Sequence, residues 1–184
     1  MVAVNLDTTN ITNNLQKPIV LIGMMGTGKT HLGKMLAEKL GLKFYDSDHV
    51  IEDRGGLSIN EIFDLYGEQR FRQSEEKTIL ELLNNAACII ATGGGAPMNV
   101  KIMSAIKSQS LSIWLNSDAD SIYERIKQAK NRPLLKNEDP KATLKKLISE
   151  RQDIYAKADV VIQTNGNNAE YALNKIIKAI AENI

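Results

Sequence analysis

Residues 19–36 read IVLIGMMGTGKTHLGKML, and the fold turns on this stretch. With Pro18 in front, 18–23 is an apolar run of strand length that ends in glycine. Gly23-Met24-Met25-Gly26-Thr27-Gly28-Lys29-Thr30 then fits G-x-x-x-x-G-K-[ST], the Walker A phosphate loop. Glycines let successive backbone N–H groups turn inward around phosphate oxygens, where side chains would obstruct them. A helix follows at once, with Leu32, Met35, Leu36 and Leu40 on one face over 29–40. Its unpaired N–H groups and positive dipole end face the same anion. The motif gives Gly26, Thr27, Gly28, Lys29 and Thr30 to the nucleotide, with Lys29 reaching the β- and γ-phosphates and the Thr30 hydroxyl ligating Mg²⁺. The stretch is a nucleoside-triphosphate site. The molecule that receives the phosphate must be read elsewhere, because this loop serves switches, motors, transporters and kinases alike.

Four further strand-like runs follow: KFYD (43–46), ACIIA (87–91), LSIWL (111–115) and DVVIQT (159–164). Helical periodicity lies between them over 58–83, 141–155 and 168–182. Strands alternating with helices predict parallel crossovers and an α/β sandwich with a buried sheet. The Asn/Thr-rich residues 1–16 are expected to be a flexible tail, and 17–184 a single domain. The stretch KQAKNRPLLKNEDP, 127–140, is too polar for core and carries two prolines, so it reads as a mobile surface segment.

Composition narrows the partners. Apolar content of 43% and charged content of 24% are those of a globular chain. A net charge of +1 gives no bulk pull toward nucleic acid or an anionic membrane. No apolar run approaches the roughly 20 residues of a membrane span. The first residues have neither the basic nor the apolar region of a secretory signal, and no arginine of a transit peptide. The one cysteine, Cys88, lies in an apolar run and reads as a buried thiol. A cytoplasmic monomer is expected.

Three stretches stand where open α/β sheets place ligands, at or beyond strand ends. FYDSDHVIE carries Asp46 and Asp48, whose i, i+2 carboxylates point the same way on an extended chain. One can serve the metal shell and the other substrate hydroxyls, although Asp-Ser-Asp also caps helices. GEQRFRQSE, 67–75, carries Arg72, which is either a ligand fork or a solvated helix charge. ATGGGAP, 91–97, leaves the third strand through three glycines, letting backbone approach a ligand or merely turning the chain.

Taken in order with the phosphate loop, these stretches resemble the shikimate kinase family, in register from about residue 18 to about 165. The connecting IEDRGGLSINEIFDLYGEQRFR is written much as that family writes it. The resemblance implies a three-layer sandwich on a five-stranded parallel sheet of order 2-3-1-4-5, similar to nucleoside monophosphate kinases. It implies transfer of the ATP γ-phosphoryl group to the 3-hydroxyl of shikimate. By position, Asp48 would bind shikimate hydroxyls and take or orient the proton of the attacking one, and Asp46 would reach Mg²⁺ through water. Arg72 and Arg151 would hold the shikimate carboxylate, and the Gly94 N–H would contact the substrate. Arg132, in KNRPLL, would close on the transferring phosphoryl group from a lid at 127–140, and Arg125 would stack on adenine. Lys29 and Arg132 would join Asp48 as the catalytic groups.

The chain adds a hint of its own. Of its 23 basic residues only six are arginines, yet Arg72, Arg125, Arg132 and Arg151 all fall on proposed ligand positions. Arginine offers a planar fork to carboxylate and phosphate that lysine cannot. Two departures stand out. The family's Pro-Leu-Tyr after the last arginine is here Gln152-Asp153-Ile154-Tyr155, and QTNGNNAE lacks the usual proline of the adenine loop. His31 and His49 read as surface or supporting residues, and Trp114, Met24 and Met25 as packing. A gluconate kinase would use similar groups, and a GTPase switch would need an Asn-Lys-x-Asp element that the sequence lacks.

Overall fold

In the computed structural model, which describes residues 8–127, 139–166 and 168–184, five strands form one parallel sheet. They are β1 (Ile19–Ile22), β2 (Lys43–Asp46), β3 (Cys88–Ala91), β4 (Leu111–Asn116) and β5 (Val160–Gln163), in the order β2-β3-β1-β4-β5. All five lie within or against the runs expected from sequence. In register, Val20 of β1 stands beside Ile90 of β3 and Ser112 of β4.

The strand period of two splits the core into two layers. Ile19 and Leu21 point to one side and join Leu32, Leu36 and Leu40 of α2 (Lys29–Leu40) and Ile176 and Ile180 of α8 (Ala169–Ala181). Val20 and Ile22 point to the other and join α4 (Ile59–Leu83), α5 (Val100–Gln109), α6 (Ala119–Ile126) and α7 (Pro140–Tyr155) through Ile79, Ile106, Ile122 and Leu144. The central strands β1 and β3 are buried throughout, whereas β2 and β5 at the edges keep exposed positions. Cys88 is 2% exposed, and burial pushes its thiol up to about 11, as expected of an inert core cysteine.

Several features depart from expectation. Residues 8–16 are not a free tail: α1 (Thr8–Asn14) packs on α2 and α8, with Ile11 and Leu15 buried. The i, i+4 apolar pair outweighs the Asn/Thr composition around it, and the Thr12 hydroxyl donates to the Leu40 carbonyl at the end of α2, 3.1 Å away. The 58–83 pattern forms α4, but Gly67 (φ 76°, ψ 169°) breaks it into two helical pieces. A capping box of Ser58 and Glu61 starts the first piece. Three further helices lie outside the helical patterns read from sequence, α5, α6 and α3 (Ser47–Gly55), the last leaving β2 directly, capped by Asp46. The lid expected over 127–140 falls, but for its ends, outside the described residues, and Arg132 with it.

Candidate active site

The carboxyl ends of β1, β2 and β3 open on a cavity of about 530 Å³, within the usual ~300–1,000 Å³ of ligand pockets. Residues 25–30 of the glycine loop form its floor, and Asp46, Asp48, Gly94 and Arg125 reach it from four other segments.

On the loop side nearly every contact is to backbone. Gly26 and Gly28 hold φ values of 77° and 94°, a region costly for other residues. Gly28, at the N-cap, brings no side-chain cap to the first turn of α2. The Lys29 ammonium, on a side chain buried beneath the loop, donates to the carbonyls of Gly23 and Met24, each at 2.8 Å. The Thr27 hydroxyl donates to Met24 O at 2.8 Å, bracing the loop from within.

Asp46 links this side to the next. Its Oδ1 accepts the Asp48 N–H at 3.1 Å, capping α3, while its Oδ2 accepts the Thr30 hydroxyl at 2.7 Å. The cap reading of Asp-Ser-Asp is met, and the same carboxylate also holds the last residue of the phosphate-loop motif. The Thr30 hydroxyl and the Asp46 carboxylate form a pair of hard oxygen donors, the set that suits Mg²⁺ shared with waters and substrate phosphates. Among the described residues no group of three His, Cys, Asp or Glu side chains forms a protein-only cage.

The other side is built from charged side chains touching one another. Oδ1 of Asp48 is buried without a hydrogen-bond partner among the described residues. Burial, reinforced by Asp46 and Glu75 and opposed by Lys29, pushes the Asp48 carboxyl up from 3.8 to about 6. Glu75, 1% exposed, accepts from Arg72 Nη1 at 2.7 Å, and burial raises its carboxyl against the pull of that arginine.

The three glycines make room for these groups. A methyl on Gly93 would stand 2.7 Å from Asp48 Oδ1 and 3.0 Å from Glu75 Oε1, and one on Gly95 would stand 3.0 Å from Arg72 Nη1. Between them, a methyl on Gly94 would press on the phosphate loop, 3.2 Å from the Met25 nitrogen. None of the three has positive φ, so space and not backbone conformation is what requires glycine. The Gly94 carbonyl accepts the Tyr155 hydroxyl at 2.5 Å and Arg151 Nη1 at 3.5 Å, tying the end of α7 to the turn. Arg72 and Arg151 thus stand behind the glycine turn and do not line the main cavity itself.

At the far end Arg125 donates to Gly26 O at 3.3 Å, to Gly166 O at 2.5 Å and to Thr164 O. It joins the phosphate loop to the loop after β5, where Thr164, Gly166 and Asn168 line the cavity. His31 lies at the cavity edge and is exposed, and His49 is exposed beside Glu52 and Asp53.

Sequence reasoning did not single out Glu75. Its only signal was its place three residues after Arg72, a spacing common to solvated helix pairs. Tyr155 was noted only as part of a pattern, and its bond to Gly94 O gives it a place in the site.

The shikimate kinase family model matches residues 25–181. A shikimate kinase of Bartonella henselae is 40% identical over 181 residues, covering 96% of this chain and 86% of the relative. Among solved structures, a shikimate kinase from Acinetobacter baumannii in complex with shikimate superposes with a TM-score of 0.89 at 36% identity, over 96% of this chain and 98% of that one. A shikimate kinase from Aquifex aeolicus gives 0.79 at 34%, over 90% and 97%. With the same sheet order, the same phosphate loop and this similarity along nearly its whole length, the chain belongs to the shikimate kinase family.

Proposed function

We propose that this kinase transfers the γ-phosphoryl group of ATP to the 3-hydroxyl of shikimate, giving shikimate 3-phosphate and ADP for chorismate and aromatic amino acid synthesis. The observation that carries this reading is the Asp48 carboxylate, whose Oδ1 is buried and without a partner among the described residues, between the phosphate loop and the Arg72–Glu75 pair. A carboxyl held near 6 ionises at neutral pH, yet retains enough basicity to take a hydroxyl proton. Asp48 accepts that proton as the hydroxyl oxygen bonds to the γ-phosphorus, and the bond to the bridging oxygen breaks to release ADP.

The remaining groups position and neutralise, which is most of what phosphoryl transfer asks of a protein. Residues 26–30 cradle the phosphates, with Lys29 exchanging its loop carbonyls for phosphate oxygens. Thr30 directly, and Asp46 through water, would hold Mg²⁺, which when bound supplies charge neutralisation across the β- and γ-phosphates. Arg72 and Arg151 grip the shikimate carboxylate, Gly94 meets the substrate through its N–H, and Arg125 packs on the adenine. Arg132 is assigned to the transferring phosphoryl group from its sequence position alone. A cytoplasmic monomer acting on free small molecules, with neither nucleic acid nor membrane as partner, fits a net charge of +1 and the lack, among the described residues, of any helix long and apolar enough to cross a membrane.

A coupled assay of ADP release with shikimate, gluconate or no acceptor tests the reading. Turnover with shikimate alone is expected. Equal turnover with gluconate, or release that ignores the acceptor, would overturn it.

A further inference from the structure

The Arg72 guanidinium has two edges able to grip a carboxylate in bidentate fashion, and neither is open. Its Nη1 donates to the buried Glu75 at 2.7 Å, and its Nη1 and Nη2 pack over Gly95. The remaining edge, Nε and Nη2, converges on one oxygen of Glu68, at 3.3 and 3.2 Å. A substrate acid approaching Arg72 therefore meets a fork already holding a carboxylate.

The two acidic partners differ in kind. Glu75 is 2% exposed at its side chain and cannot leave without burying an unpaired charge. Glu68 is 66% exposed, and water stands ready to receive it. Its place in the chain also lets it move. Gly67, with φ 76° and ψ 169°, breaks α4 just before Glu68, and nothing lies within 4 Å of where a Gly67 side chain would stand. Glu68 thus opens the second helical piece and, with Arg72 and Glu75 at i+4 and i+7, shares its face.

We propose that Glu68 is a built-in occupant of the Arg72 carboxylate site, released to solvent when the substrate acid takes the Nε/Nη2 edge. This rests on the reading of Arg72 as the carboxylate clamp. Glu68 thereby sets a threshold: an acid that engages both nitrogens through two oxygens displaces it, because it offers both nitrogens only one oxygen.

Shikimate binding to the nucleotide-free protein, followed by calorimetry, tests the proposal. Glu68→Gln is expected to tighten shikimate binding about two- to fivefold, the range of an exposed ion pair. In kinetics the gain falls on KM and not on kcat. A double-mutant cycle separates displacement from plain removal of a negative charge. With Arg72→Ala in place the Glu68→Gln gain should vanish, whereas a through-space effect would persist. Arg72→Ala leaves Glu75 buried without its partner, so Arg72→Lys replaces it should the alanine variant fail to fold. If Arg72 substitution leaves shikimate affinity unchanged, the clamp reading fails. If it weakens affinity while Glu68→Gln leaves binding unchanged or weaker, or its gain survives in the double variant, the clamp stands and the proposal for Glu68 falls.

Discussion

The phosphate loop on the cavity floor and the charged cluster behind the glycine turn are built by opposite means. On the phosphate side, Lys29 and Thr27 hydrogen-bond to loop carbonyls, and the chain's course alone fixes where those acceptors are. On the acid side, beside Asp48, Arg72 holds Glu68 and Glu75, and Gly93 and Gly95 leave the space in which these side chains stand. The first design offers one rigid cradle for an invariant group. The second leaves one buried carboxylate oxygen unpartnered among the described residues and one arginine edge bonded to an exposed partner, so it is open to completion by a ligand. Substitutions should therefore divide cleanly, with acid-side changes sparing the nucleotide.

Asp48→Asn is expected to lower turnover by about 10²- to 10⁴-fold, the usual span for a lost general base, with ATP affinity by calorimetry little altered. Normal turnover would remove Asp48 from its role. Gly93→Ala drives a methyl onto Asp48 Oδ1 at 2.7 Å and should cost on the order of 10²-fold, as misplacement by about an ångström does. Gly94→Ala is the sharper contrast, since it presses on the phosphate loop and should weaken ATP and shikimate together. Arg72→Lys should raise the shikimate KM by about ten- to a hundredfold, from the roughly 1.5–3 kcal/mol of a charged hydrogen-bonded pair, and leave the ATP KM near its original value.

The pH dependence tests the same division. With the free Asp48 carboxyl at about 6, kcat/KM for shikimate should fall about tenfold per unit well below pH 6, while nucleotide binding changes less. Stability moves the other way. A carboxyl raised from 3.8 to about 6 by folding favours the folded state below 3.8, and that advantage fades as pH climbs through 6. Asp48→Asn removes the cost of the buried charge, so thermal or denaturant unfolding of the ligand-free protein should show it more stable by about 1–3 kcal/mol at pH 8, with little change at pH 4.

How far the sequence could be read follows the same line. The phosphate loop was plain because its chemistry is local: glycine order, a lysine and a threonine within eight residues. All five strands were visible, down to the edge strand KFYD, since each apolar or alternating run is bounded by polar chain. Asp48, Arg72 and Gly94 were legible only as a set resembling a known family. Glu75 was not, because what makes it special is burial beneath Gly93, eighteen residues further on, which no local pattern encodes. The start signal of helix α3 is visible in Asp-Ser-Asp, but it stands open beside a second use for Asp46, and the helical run after it was not read. Helix α1 was missed because two buried side chains hide among Asn and Thr.

That last helix bears on how the protein is handled. The family pattern begins at residue 25, which invites a shortened version starting just ahead of β1. Such a version would keep every group proposed for chemistry, yet strip Ile11 and Leu15 from the flanks of α2 and α8 and bare an oily strip there. Its failing would be stickiness in the test tube rather than a lost reaction.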